Sequence, residues 1–125
     1  MLQNFFWVAL GGALGSCGRY GVSIIFGSKS LSFPYATFTV NFLGSLVLGI
    51  LLAASFLDAD KNLSFKLFLT TGLMGGFTTY STFSFETVAL LRHGHTGTAI
   101  GYLGATLLVC LMASWVGFLL GRQIF

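Results

Sequence analysis

Four long apolar segments alternate with short polar connections along the whole chain. The apolar segments cover residues 5–26, 34–57, 63–91 and 96–120. The connections between them carry glycine, serine, histidine and nearly all of the charged residues outside the apolar segments. About 20 consecutive apolar residues form a helix long enough to cross the hydrocarbon core of a bilayer. The pattern therefore predicts an all-α integral membrane protein with four transmembrane helices in a single domain, residues 1–125.

The amino-acid composition also indicates that the chain lies in a lipid bilayer. Hydrophobic residues make up 55% of the chain and charged residues only 7%, whereas a soluble domain carries about a quarter charged residues. We expect a multi-pass protein of the cell membrane, surrounded by lipid. The six lysines and arginines are scattered singly, which is not the clustered basic face that binds nucleic acid. No basic region precedes the first apolar run, so we expect this segment to be retained rather than cleaved as a signal peptide.

Residue types that carry catalytic or metal chemistry are few and isolated. Cys17 and Cys110 each lie within an apolar run, which is typical of small packed residues. His93 and His95 form a pair in a connection, and two ligands without a third are a weak indication of a metal site. No combination of side chains resembles a catalytic centre. The sequence therefore does not predict an enzyme.

The basic residues outside the first apolar segment are distributed almost evenly between the two membrane faces. With four spans they divide as Lys61, Lys66 and Arg122 on one face against Lys29 and Arg92 on the other. Proteins with one fixed orientation show a clear excess of such residues on the cytoplasmic side. The balance favours insertion in both orientations and an antiparallel homodimer of the chain with its own inverted copy. The alternative is that other determinants fix a single orientation.

Glycines and hydroxyl groups are concentrated in the middle of the third apolar segment, between Thr70 and Glu86. This composition is not expected in a continuous helix that faces lipid. It is expected in a broken helix that lines a cavity, where irregular backbone is tolerated at membrane depth. A break exposes carbonyl oxygens to a cation and amide hydrogens to an anion. We therefore predict that the third helix is broken near the middle of the membrane. The alternative is an unbroken helix whose hydroxyls bond to carbonyls one turn earlier.

Polar positions also recur on the second and fourth segments. Thr37 and Asn41 share one face of the second, although a buried asparagine can simply bond to a neighbouring helix. In the fourth segment, every fourth residue from position 102 to position 114 is polar or contains sulfur: Tyr102, Thr106, Cys110 and Ser114. We call these four residues the polar stripe. It suits a track for a small hydrophilic species, unless its hydroxyls are satisfied locally.

Two charges and several glycines stand out within the apolar segments. Arg19 and Glu86 are embedded deeply enough to indicate a functional role, a mutual ion pair or extension of their side chains to the membrane interface.

Glycines at helical spacing predict close helix packing. These glycines are Gly11, Gly15 and Gly18 in the first segment, and Gly97, Gly101, Gly117 and Gly121 in the fourth.

Three motifs together resemble those of the Fluc (CrcB) fluoride channel family. They are Gly11-Gly-x-x-Gly15 with Arg19-Tyr20, Thr39-Val-Asn41-x-x-Gly44-Ser45, and Gly75-Gly-Phe-Thr-Thr-Tyr-Ser-Thr-Phe-Ser-x-Glu86. The resemblance covers nearly the whole chain, and the third motif is highly specific. It implies a dual-topology antiparallel homodimer with two fluoride pathways and a structural sodium ion at its centre.

The resemblance also implies roles for individual residues. Gly75 and Thr78 would offer backbone carbonyls to the sodium ion, and Asn41 would face the pore. Tyr80 and Phe83 fall where the family has two phenylalanines that line the pathway. The remaining pathway positions would be Thr37, Ser81, Thr82, Glu86, Tyr102, Thr106 and Ser114, with Arg19 near the aqueous vestibule.

The chain departs from the family pattern at two positions. Tyr80 adds a hydroxyl to one pore ring, which we expect to lower conduction, and Cys110 replaces a serine with a weaker hydrogen-bonding group. The function implied is passive, fluoride-selective export down the electrochemical gradient, which confers fluoride resistance. The alternative is a small dual-topology multidrug antiporter. Such a protein is expected to carry a glutamate in its first helix, where the only charge of this chain is Arg19.

Overall fold

The computed structural model describes residues 1–27, 33–54 and 62–125, and the regular elements of these residues are all helical. Three helices are long and apolar enough to cross a membrane. They are α1 (Leu2–Phe26), α2 (Tyr35–Leu52) and α6 (Thr96–Ile124). The third predicted span is divided into α3 (Leu63–Leu67), a π-helical segment (Phe68–Met74), α4 (Gly75–Phe77) and α5 (Tyr80–Arg92). The predicted multi-pass helical architecture is confirmed.

Two helices are longer than the hydropathy pattern predicts, and contacts explain both extensions. The start of α1 is held by Asn4, whose Oδ1 accepts a 3.0 Å hydrogen bond from the Ser64 hydroxyl. The end of α6 packs on α2, where Gly121 lies against the Ile50 backbone. The last predicted turn of the second span, residues 55–57, lies outside the described residues, as do Lys29 and Lys61.

Helix α1 contacts the segment 68–77 backbone to backbone. A Cβ atom added at Gly11 would lie 2.8 Å from the Leu73 nitrogen, and one at Gly15 would lie 2.8 Å from the Phe77 nitrogen. Side chains at these positions would therefore push the two segments apart. The packing role predicted for these two glycines is confirmed.

The glycines of α6 divide into two groups. Gly117 and Gly121 lie against the α2 backbone at Leu46 and Ile50, as expected. A Cβ at Gly97 or Gly101 would meet no atom within 4 Å in the described part of the chain. The expected packing of these two residues is therefore not found within one described chain.

The interruption between α4 and α5 consists of Thr78 and Thr79, which both have extended backbone conformations. The Thr78 amide and hydroxyl both donate to the Met74 carbonyl at 2.9 Å and so end the preceding helix. The Thr79 hydroxyl accepts a 3.2 Å hydrogen bond from the Thr82 amide and so caps α5. The break predicted from the glycine-rich motif therefore lies at this pair of threonines.

An aromatic core joins α5 to α6 and to the start of α2. Phe83 packs edge-on against Tyr102 with ring centroids 5.1 Å apart, and Phe33 packs against the same tyrosine at 5.3 Å. Leu90 and Ala99 complete the buried cluster. This core fixes the second half of the broken helix against the polar stripe of α6.

Candidate functional site

Asn41 holds the break in the third span through the backbone of Thr79. Its side-chain amide donates to the Thr79 carbonyl at 3.1 Å, and its Oδ1 accepts from the Thr79 amide at 2.8 Å. One carboxamide thus satisfies both backbone groups of a buried residue that belongs to no helix, which would otherwise be costly. In this structure Asn41 acts as a clamp on the break. Its pore-facing role stays a prediction.

The clamp has a consequence for Gly75. In a continuous helix the Thr79 amide would donate to the Gly75 carbonyl four residues earlier, but here it donates to Asn41. The Gly75 carbonyl is released from that helical bond, and Gly75 lies on an exposed face of the chain. Oxygen atoms of this kind are the ligands that hard cations prefer. The donor chemistry at the break therefore fits the sodium ion that the resemblance implies.

Glu86 is the centre of a polar cluster built from three helices. Its Oε1 accepts a 2.8 Å hydrogen bond from the Thr37 hydroxyl on α2, and its Oε2 accepts a 2.7 Å bond from the Tyr102 hydroxyl on α6. The structure thus brings together three of the predicted pathway residues. Each carboxylate oxygen of Glu86 accepts a hydrogen bond from a hydroxyl group. An ion pair with Arg19, the alternative that the sequence left open, would not by itself account for these two bonds.

A large open cavity lies beside this cluster. Its volume is about 990 Å³, and Arg19, Thr37, Thr79, Thr82 and Glu86 are among the residues that line it. The two embedded charges that the sequence singles out therefore share one cavity. The positive charge of Arg19 in the cavity wall attracts anions into the cavity.

The two aromatic rings at the start of α5 have different surroundings. Tyr80 is 75% exposed in the single chain, whereas Phe83 is 5% exposed and belongs to the core. Their ring centroids are 5.6 Å apart. Between them, Ser81 is exposed, and the Thr82 hydroxyl accepts a 3.0 Å bond from the Thr79 hydroxyl.

The polar stripe faces the interior of the chain along much of its length. Tyr102 is fully buried and Thr106 is 5% exposed. The Ser114 hydroxyl donates to the Ser45 carbonyl at 3.2 Å, and Cys110 is half-buried. Within the described residues the buried Thr106 hydroxyl has no hydrogen-bond partner. A buried hydroxyl of this kind, without a partner among the described residues, keeps its capacity to donate a hydrogen bond.

Sequence reasoning missed Thr79 and Ser45 as partners of site residues. Both contribute backbone carbonyls, to Asn41 and Ser114 respectively, and backbone groups leave no mark in a side-chain pattern. The weak histidine metal site also finds no further support, because the His93 Nδ1 lies 2.8 Å from the Ala89 carbonyl. Across residues 1–27, 33–54 and 62–125, no group of three or more metal-binding side chains occurs.

Comparison with known proteins decides the family. The sequence pattern described as CrcB-like protein, Camphor Resistance (CrcB), matches residues 6–118. The chain belongs to the CrcB family. This match extends from the first turns of α1 nearly to the end of α6, and it includes both the break and the Asn41 clamp.

Individual CrcB relatives align over nearly their full lengths. A protein of Acidobacterium capsulatum is 42% identical over 125 residues, with 98% of each chain covered. A protein of Paracoccus denitrificans is also 42% identical, covering 100% of this chain and 99% of its own. One from Thermus thermophilus is 42% identical with 96% of each chain covered. All three are named fluoride-specific ion channel FluC, so the CrcB family is a family of membrane ion channels rather than enzymes.

Proposed function

We propose that this chain forms a fluoride-selective channel that lets cytoplasmic fluoride leave the cell passively. The observation that carries the proposal is the polar stripe, buried against α2 and α5, in a chain that matches fluoride-specific channels over its full length. Passive flow needs no energy-coupling domain. Export down the electrochemical gradient would confer fluoride resistance.

The geometry offers fluoride the groups that it needs on leaving water. Fluoride is small and strongly hydrated, so a selective path replaces its water with closely placed donors. The Thr106 hydroxyl can serve in this way, and the Thr37 and Tyr102 hydroxyls already hold an anionic group, the Glu86 carboxylate. The edge of the Phe83 ring adds a region of positive potential. Residues Asn41, Tyr80, Ser81, Thr82, Ser114 and Arg19 complete the proposed pathway.

The functional unit that we propose is an antiparallel homodimer with two pathways. The exposed face around the break carries Gly75, Tyr80 and Ser81, and its polar groups need partners that lipid does not provide. An inverted copy would supply them. A sodium ion held by the Gly75 and Thr78 carbonyls of both copies would add positive potential near the anion path.

Liposome flux tests the proposal directly. Purified protein is reconstituted, and efflux of fluoride and chloride is compared, with either sodium or a large organic cation present. We expect fast fluoride efflux, no chloride efflux and a loss of fluoride efflux when sodium is absent. Equal fluoride and chloride rates would refute the selectivity, and indifference to sodium would refute the central ion.

The multidrug antiporter has less support. Its expected glutamate lies in the first helix, whereas the embedded carboxylate of this chain, Glu86, lies on α5 and is bonded to two hydroxyls. Its relatives are named as channels. Absence of drug-driven proton movement in the same liposomes would exclude the antiporter.

A further inference from the structure

Phe33 precedes α2 and is held there by a tight turn. The Tyr35 amide donates to the Phe33 carbonyl at 2.9 Å, and Pro34 between them has φ −76° and ψ 72°. This hydrogen bond and these angles define an inverse γ-turn. Because the proline ring restricts φ, the turn limits the positions that Phe33 can adopt relative to the first turn of α2.

The Phe33 ring packs among three other aromatic rings. Its centroid lies 4.9 Å from that of Tyr35, 5.5 Å from that of Phe38 and 5.3 Å from that of Tyr102. The contacts with Phe38 and Tyr102 are T-shaped, with interplanar angles of 69° and 79°. This is a geometry that the aromatic quadrupole favours. Phe33 therefore joins the start of α2 to α6 through a specific ring contact.

Tyr102 is the residue whose orientation this contact affects. Its side chain is fully buried, and its hydroxyl donates to Glu86 Oε2 at 2.7 Å. The hydroxyl stands at the far end of a rigid ring, so a small tilt of the ring lengthens or bends this bond, and hydrogen bonds weaken steeply with both. Phe83 contacts the same ring from α5 at 5.1 Å. Phe33 adds a second contact, from the start of α2.

Phe33 also belongs to the wall of the large cavity. Thr37 and Glu86 line this cavity as well, whereas the fully buried Tyr102 does not. A shorter side chain in place of Phe33 would leave space beside the Tyr102 ring, since the surroundings of a truncated core residue relax only partially. The tyrosine could then tilt into that space, away from Glu86.

We propose that Phe33 is a positioning residue of the fluoride pathway, whose ring holds the Tyr102 hydroxyl on Glu86 where the polar stripe begins. The inference rests on the proposed function and adds to it a residue that acts through Tyr102 rather than on the ion. Without the Phe33 ring, Glu86 would keep its bond from Thr37 but lose the one from Tyr102. The first hydroxyl of the polar stripe would then leave its place.

Fluoride efflux from liposomes tests this role with three single variants. Phe33→Leu removes the ring and Phe33→Tyr keeps it. The matched control Phe68→Leu removes a different T-shaped contact, which Phe68 makes with Trp7 at 6.0 Å. Loss of one aromatic pair lowers the population of the held orientation about fivefold, and we expect efflux of Phe33→Leu to fall by the same factor. Phe33→Tyr and Phe68→Leu should release fluoride at the unchanged rate.

Tyr102→Phe separates positioning from general packing. This variant keeps the ring but has no hydroxyl to position, so adding Phe33→Leu to it should cause no further loss of efflux. If Tyr102→Phe itself abolishes efflux, the same double-mutant cycle is measured on the thermal stability of the purified proteins. We then expect Phe33→Leu to destabilise the Tyr102→Phe chain less than the unchanged chain.

Three results would overturn the proposal. They are normal efflux in Phe33→Leu, an equal loss in Phe33→Tyr or Phe68→Leu, and a cycle in which the substitutions at positions 33 and 102 act independently. If the unchanged protein releases no fluoride, it is the proposed function that fails. The stability cycle still reports in that case whether Phe33 holds the Tyr102 hydroxyl.

Discussion

Thr106 carries a buried hydroxyl that no described residue satisfies. An unsatisfied buried polar group costs about 1–3 kcal/mol, and valine has nearly the same shape without that group. We expect Thr106→Val to keep or raise the thermal stability of the purified protein. Fluoride efflux should fall about tenfold, which corresponds to the loss of one hydrogen bond to an ion. Melting curves and liposome efflux measure the two effects on the same sample.

Thr87 provides the matched control for this substitution. It is also buried, but its hydroxyl donates to the Phe83 carbonyl one turn earlier at 2.8 Å. Thr87→Val should therefore lose a little stability and retain fluoride efflux. If Thr106→Val conducts normally, or if both variants lose efflux equally, the stripe hydroxyl has no direct part in conduction.

The resemblance of its motif implies that Tyr80 stands where the family has phenylalanine, so that its exposed ring carries one additional hydroxyl. The hydroxyl can compete for fluoride or narrow the path, while the ring edge that attracts an anion is common to tyrosine and phenylalanine. We expect Tyr80→Phe to increase the fluoride efflux rate without changing the exclusion of chloride. The measurement is efflux of each anion from liposomes of equal protein content. A variant that conducts no faster would show that the hydroxyl is harmless.

Asn41 illustrates how much of a single residue's role the sequence can predict. A lone carboxamide in an apolar helix indicates a specific polar contact, and the motif around it predicts the family. The contact itself, with the backbone of Thr79, joins residues 38 positions apart. It depends on how α2 crosses the break, and no local pattern contains that information. The same holds for Thr37, which meets Glu86 49 positions away.

Helix α1 supports the break because its glycines let the π-helical segment approach. A methyl group at Gly15 would collide with the Leu73 carbonyl and lie 2.8 Å from the Phe77 nitrogen, and backbone atoms cannot move aside easily. We expect Gly15→Ala to cost at least about 3 kcal/mol, the upper part of the usual range for overpacking. Thermal unfolding in detergent should show a large loss of stability, and size-exclusion chromatography should show loss of the proposed dimer.

Gly21, on the same helix, provides the matched control for the Gly15→Ala substitution. A Cβ there meets nothing within 4 Å in the described chain, and alanine favours a helix over glycine by about 1 kcal/mol. Gly21→Ala should therefore be as stable as the unchanged protein or more so. Equal behaviour of the two variants would mean that α1 does not set the position of the break.

The sequence predicts only part of the structure of the broken span. Glycine and hydroxyl density predicts that a break occurs, and the structure locates it at Thr78 and Thr79. The wider π-helical turns before it, Phe68–Met74, are not predicted. This segment packs on α1. Within it the Thr70 hydroxyl donates to the Lys66 carbonyl, a type of bond that competes with regular helical bonding. Such segments are common at functional sites.

The near-even distribution of basic residues along the whole chain predicts no strong electrostatic preference for one orientation in the membrane. Among the described residues, Lys66 and Arg122 belong to one face and Arg92 to the other, when the spans are counted from the N-terminus. A near balance of this kind leaves insertion sensitive to one or two added charges. The antiparallel dimer that we propose would provide partners for the exposed polar face at the break, and it requires both orientations to be present.

Added charges therefore test whether the chain inserts in both orientations. We expect C-terminal fusions of the unchanged chain to report both cytoplasmic and external locations, with a cytoplasm-only fluorescent protein and an externally active phosphatase. Gln123→Lys should shift the population toward a cytoplasmic C-terminus, and His93→Lys with His95→Lys should shift it the other way. Each biased variant alone should lose fluoride efflux, and their co-expression should restore it, because only the mixture can form antiparallel dimers. Full efflux from a variant that inserts in one orientation alone would show that the inverted copy is not needed.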